Sequence, residues 1–184
     1  LWNPELDVWS ILKGYCDDFF GEEAGSYMLE YYMNYERAAM NSNLVMSCPV
    51  YYMDQIFTNS LLQKQGSLLN KAISYTVNES DQAKRIQRVR ISLKYVKKCM
   101  AYLSKAKSIA MGNDKIEDIF ILKSQANEIN EFRKNHRADY CFNFGNSYIK
   151  RFLNYKWVLK QMLRYSALSQ IQVNLDKKAS NCAS

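Results

Sequence analysis

Proline and glycine are scarce: two and six, respectively, in 184 residues. Both prolines, Pro4 and Pro49, fall outside the helical periodicity, and the shortage of turn formers argues for long helices over a sheet. There is one histidine, His136. It has no Ser or Cys partner at an interpretable spacing and no second His to share a metal. At the end of a predicted helix its side chain suits the dipole. The five cysteines, Cys16, Cys48, Cys99, Cys141 and Cys182, show no CxxC spacing, and an odd count with wide gaps argues against a disulfide framework. Cys16 and Cys99 read as small buried hydrophobes. No apolar run approaches the ~20 residues of a membrane span. No glycine-rich phosphate loop is present, and neither a cofactor nor a metal is expected.

What remains is helical periodicity, almost unbroken to about residue 173. The fold class expected is all-α: a bundle of about six helices with one long central helix, forming a single helical domain over residues 1–184. The composition is 48% apolar and 14% aromatic, with 14 Tyr, a residue whose apolar body and polar tip suit half-buried helix seams. The first helix is predicted over Val8–Phe20, with Asp7 as N-cap and Gly21 as stop. Val8, Ile11, Leu12, Tyr15, Cys16, Phe19 and Phe20 share its apolar side. Asp17 and Asp18 lie in its last turn, where the dipole disfavours acids. The second helix spans Glu22–Asn41, with Ala24, Tyr27, Met28, Tyr31, Tyr35 and Ala38 on one face.

Residues 42–57 read as a loop, with a short extended piece at Val50-Tyr51-Tyr52. The third helix covers Asn59–Val77 and buries Leu61, Leu62, Leu68, Leu69, Ala72 and Ile73. Ser80 caps the fourth, Asp81–Met111, whose Ile86, Val89, Leu93, Val96, Met100 and Leu103 form an a/d-like seam. Ile91, Tyr95 and Tyr102 add a weaker stripe on its other side. A fifth helix over Asp114–Asn135 turns Ile116, Ile119, Phe120, Ala126, Ile129 and Phe132 inward. A sixth runs over Ser147–Val173 with Ile149, Phe152, Leu153, Leu159, Leu163 and Leu168. Residues 174–184 are expected to fray.

Charge is distributed unevenly. Residues 1–36 hold eight acids and one base, whereas residues 82–113 hold nine bases and no acid. Without those nine the chain would carry 16 bases against 18 acids. A basic helix can track phosphates or an acidic polymer, with Lys94, Lys97 and Lys98 as its candidate surface. A solvated helix face gives the same pattern, because most of these bases lie opposite the seam. Nucleic acid is therefore not the expected partner. The doublets Asp17-Asp18 and Glu22-Glu23 are the only paired carboxylates placed for glycosidic acid–base work. Neighbours on a helix point about 100° apart, so neither doublet converges, and no catalytic residue is assigned. Most aromatics sit at core spacing. Trp2, ahead of the first helix, is left with the adjoining Asn3 as a weak candidate for ligand contact.

The segments Leu1-Trp2-Asn3-Pro4-x-Leu6-Asp7-Val8, Phe19-Phe20-Gly21-x-x-Ala24 and Tyr31-Tyr32 resemble a stretch of bacterial glycoside-hydrolase-like proteins. Theirs is a family of unknown function, close in architecture to the α-glucuronidases and β-N-acetylhexosaminidases. Arg88-Val89 with Leu93 and Tyr95 looks like a later helix of the same region. The resemblance covers the first forty or so residues. It implies a C-terminal helical region that follows a (β/α)₈ barrel, and the absence of an initiator Met before Leu1 fits a piece of such a protein. It further implies an accessory domain packed on that barrel, a homodimer, and a secreted or periplasmic location. The competing expectations are a basic module binding nucleic acid or an acidic partner, and a coiled-coil-like oligomerisation domain.

Overall fold

The computed structural model describes residues 7–42, 52–136, 152–164 and 166–167. It is all-α, with no strand among the described residues. The helices are α1 (Val8–Phe20), α2 (Glu22–Asn41), α3 (Met53–Ile56), α4 (Asn59–Ser74), α5 (Asp81–Ala110) and α6 (Ile119–Asn135). A 3-10 turn, Ile116–Asp118, precedes α6, and a further helix, α7, covers 155–164. No described helix is long and apolar enough to cross a membrane. The chain divides into two compact units, Leu1–Ser47 with Asp54–Lys97, and Cys48–Met53 with Lys98–Ser184. The division falls inside α5.

In the first unit the caps set the boundaries. Asp7 accepts from the Ser10 amide at 3.0 Å and from the Ser10 hydroxyl at 2.9 Å, satisfying one of the free donors at the start of α1. Gly21 ends that helix at φ 89°, its N–H donating to the Asp17 carbonyl, and α2 starts on the next residue. The two helices approach so closely that a Cβ on Gly25 would lie 2.8 Å from the Cys16 carbonyl oxygen. Cys16, Phe20, Ala24, Met28 and Tyr31 are buried at and beside this corner, and Leu62, Leu68, Leu69 and Ala72 of α4 join the same core.

A polar bond pins α2 to α4. Gln65, fully buried, donates from Nε2 to the Tyr31 carbonyl at 2.7 Å. The third predicted helix stops three residues early, at Ser74. There the Ser74 and Thr76 hydroxyls donate to the Lys71 and Ile73 carbonyls, a local alternative to helical bonding. Ser80 caps α5 as expected, accepting from the Ala83 amide at 3.2 Å. The four-residue helix α3 lies where the sequence suggested only loop. Val50 and Tyr51 lie outside the described residues.

Helix α5 ends in a Schellman motif: the Asn113 N–H donates to the Ser108 carbonyl and that of Gly112, at φ 75°, to the Ile109 carbonyl. In the second unit Cys99, Met100, Tyr102, Leu103, Ala106 and Ile109 of α5 are buried with Leu122, Ala126 and Ile129 of α6 and with Phe152, Val158 and Met162. The fifth predicted helix begins late, because 114–115 are not helical. Lys105 instead bonds Asp114 at 3.2 Å and Asp118 at 2.7 Å, drawing that segment into a turn. Phe120, expected inward, is 78% exposed, while Leu122 is buried. The sixth predicted helix is interrupted at 153–154, where Asn154 caps α7 by accepting from the Lys156 and Trp157 amides. Ile149, Leu168 and the 174–184 tail lie outside the described residues.

Candidate functional site

Two surfaces stand out. The first is α1, whose apolar side is wider than the core that receives it. Cys16 and Phe20 are its buried residues. The neighbouring column stays in solvent: Val8 is 69% exposed, Ile11 53%, Tyr15 47% and Phe19 36%. These positions, spaced i, i+3, i+7 and i+11, form one continuous stripe. Trp9 is also exposed, although it shares the column of Cys16 and Phe20 at the start of the helix. The sequence placed Val8, Ile11, Tyr15 and Phe19 on one apolar side with Cys16 and Phe20, and the structure shows that α2 covers only half of it.

The outer stripe is ordered at its C-terminal end. The rings of Tyr15 and Phe19 stack at 5.1 Å, and Phe19 and Phe20 meet edge to face at 5.1 Å. The Arg85 guanidinium of α5 lies 4.2 Å from the Phe19 ring centroid and donates to the Phe19 carbonyl at 2.7 Å. That contact satisfies a terminal carbonyl of α1 and adds a cation–π interaction. Around the stripe, Lys13 pairs with Asp17 one turn on, and this hydrogen bond holds the Lys13 ammonium above its usual range. Asp7 is lowered by its bond to the Ser10 hydroxyl. Asp18 is exposed and makes no hydrogen bond or ion pair among the described residues. Beneath the corner, burial pushes the Cys16 thiol up to about 11, and Tyr31 is raised by the same cause.

The second surface is the basic face of α5, and Arg85, Arg90, Lys98 and Lys105 among its nine bases are engaged. Arg85 is held against α1, and Arg90 donates to Asn70 Oδ1 at 2.9 Å. Lys105 sits between two aspartates, and the bond to Asp118 raises its ammonium. Asp114 is lowered by its bond to Ser108 and then by Lys105. The three candidates have different surroundings. Lys94 is exposed, Lys97 is exposed with its Nζ 3.3 Å from where a Cβ on Gly66 would stand, and Lys98 pairs with Glu128 at 3.3 Å. Lys84, Arg88 and Lys94 are exposed without an ion pair among the described residues. Six residues separate Arg88 from Lys94, which sets them about 120° apart around the helix. With Lys84 they fall within one arc of that width, the span of a solvated face.

Trp2 and Asn3 lie outside the described residues. His136 caps the C-terminus of α6, as the sequence suggested, with its ring 4.5 Å from Phe132. Cys16 and Cys99 are buried and form no disulfide. Among the described residues no group of three or more His, Cys, Asp or Glu is placed to hold a metal. Sequence reasoning passed over Gly14, an exposed mid-helix glycine on α1. The signal was available, since a glycine inside a helical pattern costs stability and asks for a reason. No protein-family model matches the chain, and no curated protein or solved structure matches it either.

Proposed function

We propose that this chain is a non-catalytic helical accessory domain of a carbohydrate-active, glycoside-hydrolase-like protein, packing on that protein's catalytic barrel through the outer face of α1. The observation that carries the reading is the exposed stripe Val8, Ile11, Tyr15 and Phe19. Contiguous apolar surface of this kind marks an interaction site more often than a solvent face. It lies on the helix that directly follows the Leu1–Val8 motif, the motif by which the chain resembles that family. There the motif connects barrel to helical region, so α1 is the helix with the least chain between itself and the barrel. The carboxylates at the α1–α2 corner support the non-catalytic part of the reading: Asp17 is taken up by Lys13, and Asp18 points away from it.

The coding sequence upstream of Leu1 tests the proposal. Eight successive βα units there support it, and a native start close to Leu1 overturns it. In assay, the chain alone is expected to turn over no aryl glucuronide or N-acetylhexosaminide. Turnover that disappears in Asp17→Asn or Glu22→Gln would contradict the non-catalytic assignment.

A further inference from the structure

The chain holds 14 tyrosines, and those that meet one another in the first unit do so in two ways. Tyr31 meets Tyr32 and Tyr35 nearly edge to face, at 87° and 84°, and its own ring is buried. Tyr27 of α2 and Tyr75, the residue that closes α4, are arranged differently. Their rings are stacked, with centroids 5.4 Å apart and planes 20° from parallel. Tyr75 is 51% exposed and Tyr27 is half-buried, so a small solute can reach the pair. Stacking at this separation is ordinary for aromatic rings. A stack of two phenols open to solvent has a chemistry that a buried or edge-on pair lacks.

The oxygens are placed for it. The Tyr75 phenol is held above its ordinary range first by the Tyr27 hydroxyl beside it, which puts the two oxygens at the same end of the stack. Both residues belong to the first unit, and Tyr75 is tied to the end of α4 by its N–H, which donates to the Ala72 carbonyl at 3.3 Å.

We propose that Tyr27 and Tyr75 form an oxidative cross-linking site, joined carbon to carbon by a one-electron oxidant of the haem-peroxidase and hydrogen peroxide class. Each phenol gives an electron and a proton to the oxidant and becomes a phenoxyl radical. The two radicals join at ring carbons next to the oxygens. The hydrogen on each of those carbons then moves to its oxygen, which restores both phenols. One C–C bond is gained, two hydrogen atoms leave the protein, and one hydrogen peroxide becomes two waters. The new bond lies beside both oxygens, so hydroxyls that already share one end of the stack are close to their places in the product. Holding the rings together also replaces a chance encounter of two radicals by a local step. The product is a staple between α2 and the close of α4, and it restricts the unfolded chain by closing a long loop.

The test treats the 184-residue chain, as wild type, Tyr27→Phe and Tyr75→Phe, with a haem peroxidase and limiting hydrogen peroxide. Phenylalanine keeps the ring and removes the oxygen, and the urea midpoint before oxidation checks that each variant is folded. The wild type is expected to gain the blue fluorescence of dityrosine and to lose two hydrogen atoms while remaining a single chain. Digestion should release one cross-linked peptide that joins Tyr27 to Tyr75, and the urea midpoint should rise. Both variants should lose this product. Oxidation of the exposed Met40 and Met111 adds oxygen instead of removing hydrogen, so the mass distinguishes it. The proposal is overturned if no dityrosine forms, if the bond joins mainly other tyrosines, or if it forms only between chains and grows with protein concentration. A Tyr27–Tyr75 bond that leaves the midpoint unchanged overturns the staple as well.

Discussion

Gly14 and Gly25 sit on neighbouring helices and make opposite demands. At Gly25 an added Cβ would stand 2.8 Å from the Cys16 carbonyl oxygen and 2.9 Å from its carbon. Those are backbone atoms of α1 and cannot swing aside. Gly25→Ala is therefore expected to cost about 1–3 kcal/mol, as overpacking does, whereas Gly14→Ala should gain about 0.5–1 kcal/mol. Urea denaturation of both variants checks the pair, and a shared sign would contradict the packing described. Cys16, buried at the same corner, carries a thiol raised to about 11 from an ordinary 9.0. The folded state thus keeps the proton longer than the unfolded one. The contribution is fully present below pH 9 and is lost as pH climbs through 11. Relative to a Cys16→Ala variant, the wild type should lose stability progressively across that window, and parallel pH profiles would show the thiol to be accessible.

Single helices show which features the sequence carried. Boundaries were legible where the sequence offered a recognisable capping group, at Asp7, Gly21 and Ser80; the Thr58 cap of α4 and the Asn154 cap of α7 were not read. Less legible was which half of a wide apolar side finds a partner, since periodicity records apolarity and not coverage. Val8 and Ile11 fit the helical pattern as well as Cys16 does, yet α2 reaches only Cys16 and Phe20. The buried polar residues were hidden for a related reason. Gln65 falls at the correct spacing between Leu62 and Leu69, and Arg133 one turn after Ile129, but a polar residue in an apolar column reads as a gap. Four of the six seam residues of α5, Ile86, Leu93, Met100 and Leu103, are buried, whereas Val89 and Val96 are only half-buried. Leu93→Ala should accordingly cost ~2–5 kcal/mol, while Phe120→Ala, on an exposed ring, should stay within about 0.5 kcal/mol. Chemical denaturation of the two variants reads this directly; reversed magnitudes would mean that α5 or α6 is turned the other way.

Across the whole molecule, α5 explains both the basic pI and the division into units. Ala83, Ile86 and Leu93 are buried within one narrow side, but beyond Lys97 the buried residues Cys99 to Ile109 spread over about half the circumference. The helix that supplies nine of the 25 bases is thus also a packing element, and Arg85, Arg90, Lys98 and Lys105 among them are taken up by Phe19, Asn70, Glu128, Asp114 and Asp118. Binding to single- or double-stranded oligonucleotides is expected to be weak and to vanish near physiological salt (about 0.15 M), as counterion release alone dictates. Submicromolar affinity that survives there and is lost in Lys94/Lys97/Lys98→Glu would reassign the basic face as the working surface. The central claim remains that α1 keeps its outer face for the rest of the protein. Its most direct measurement is the rate at which a maleimide labels Ile11→Cys, a position 53% exposed, in the 184-residue chain and in the full-length protein. The account predicts rapid labelling in the chain and labelling slower by about tenfold or more in the full-length protein; equal rates would contradict it.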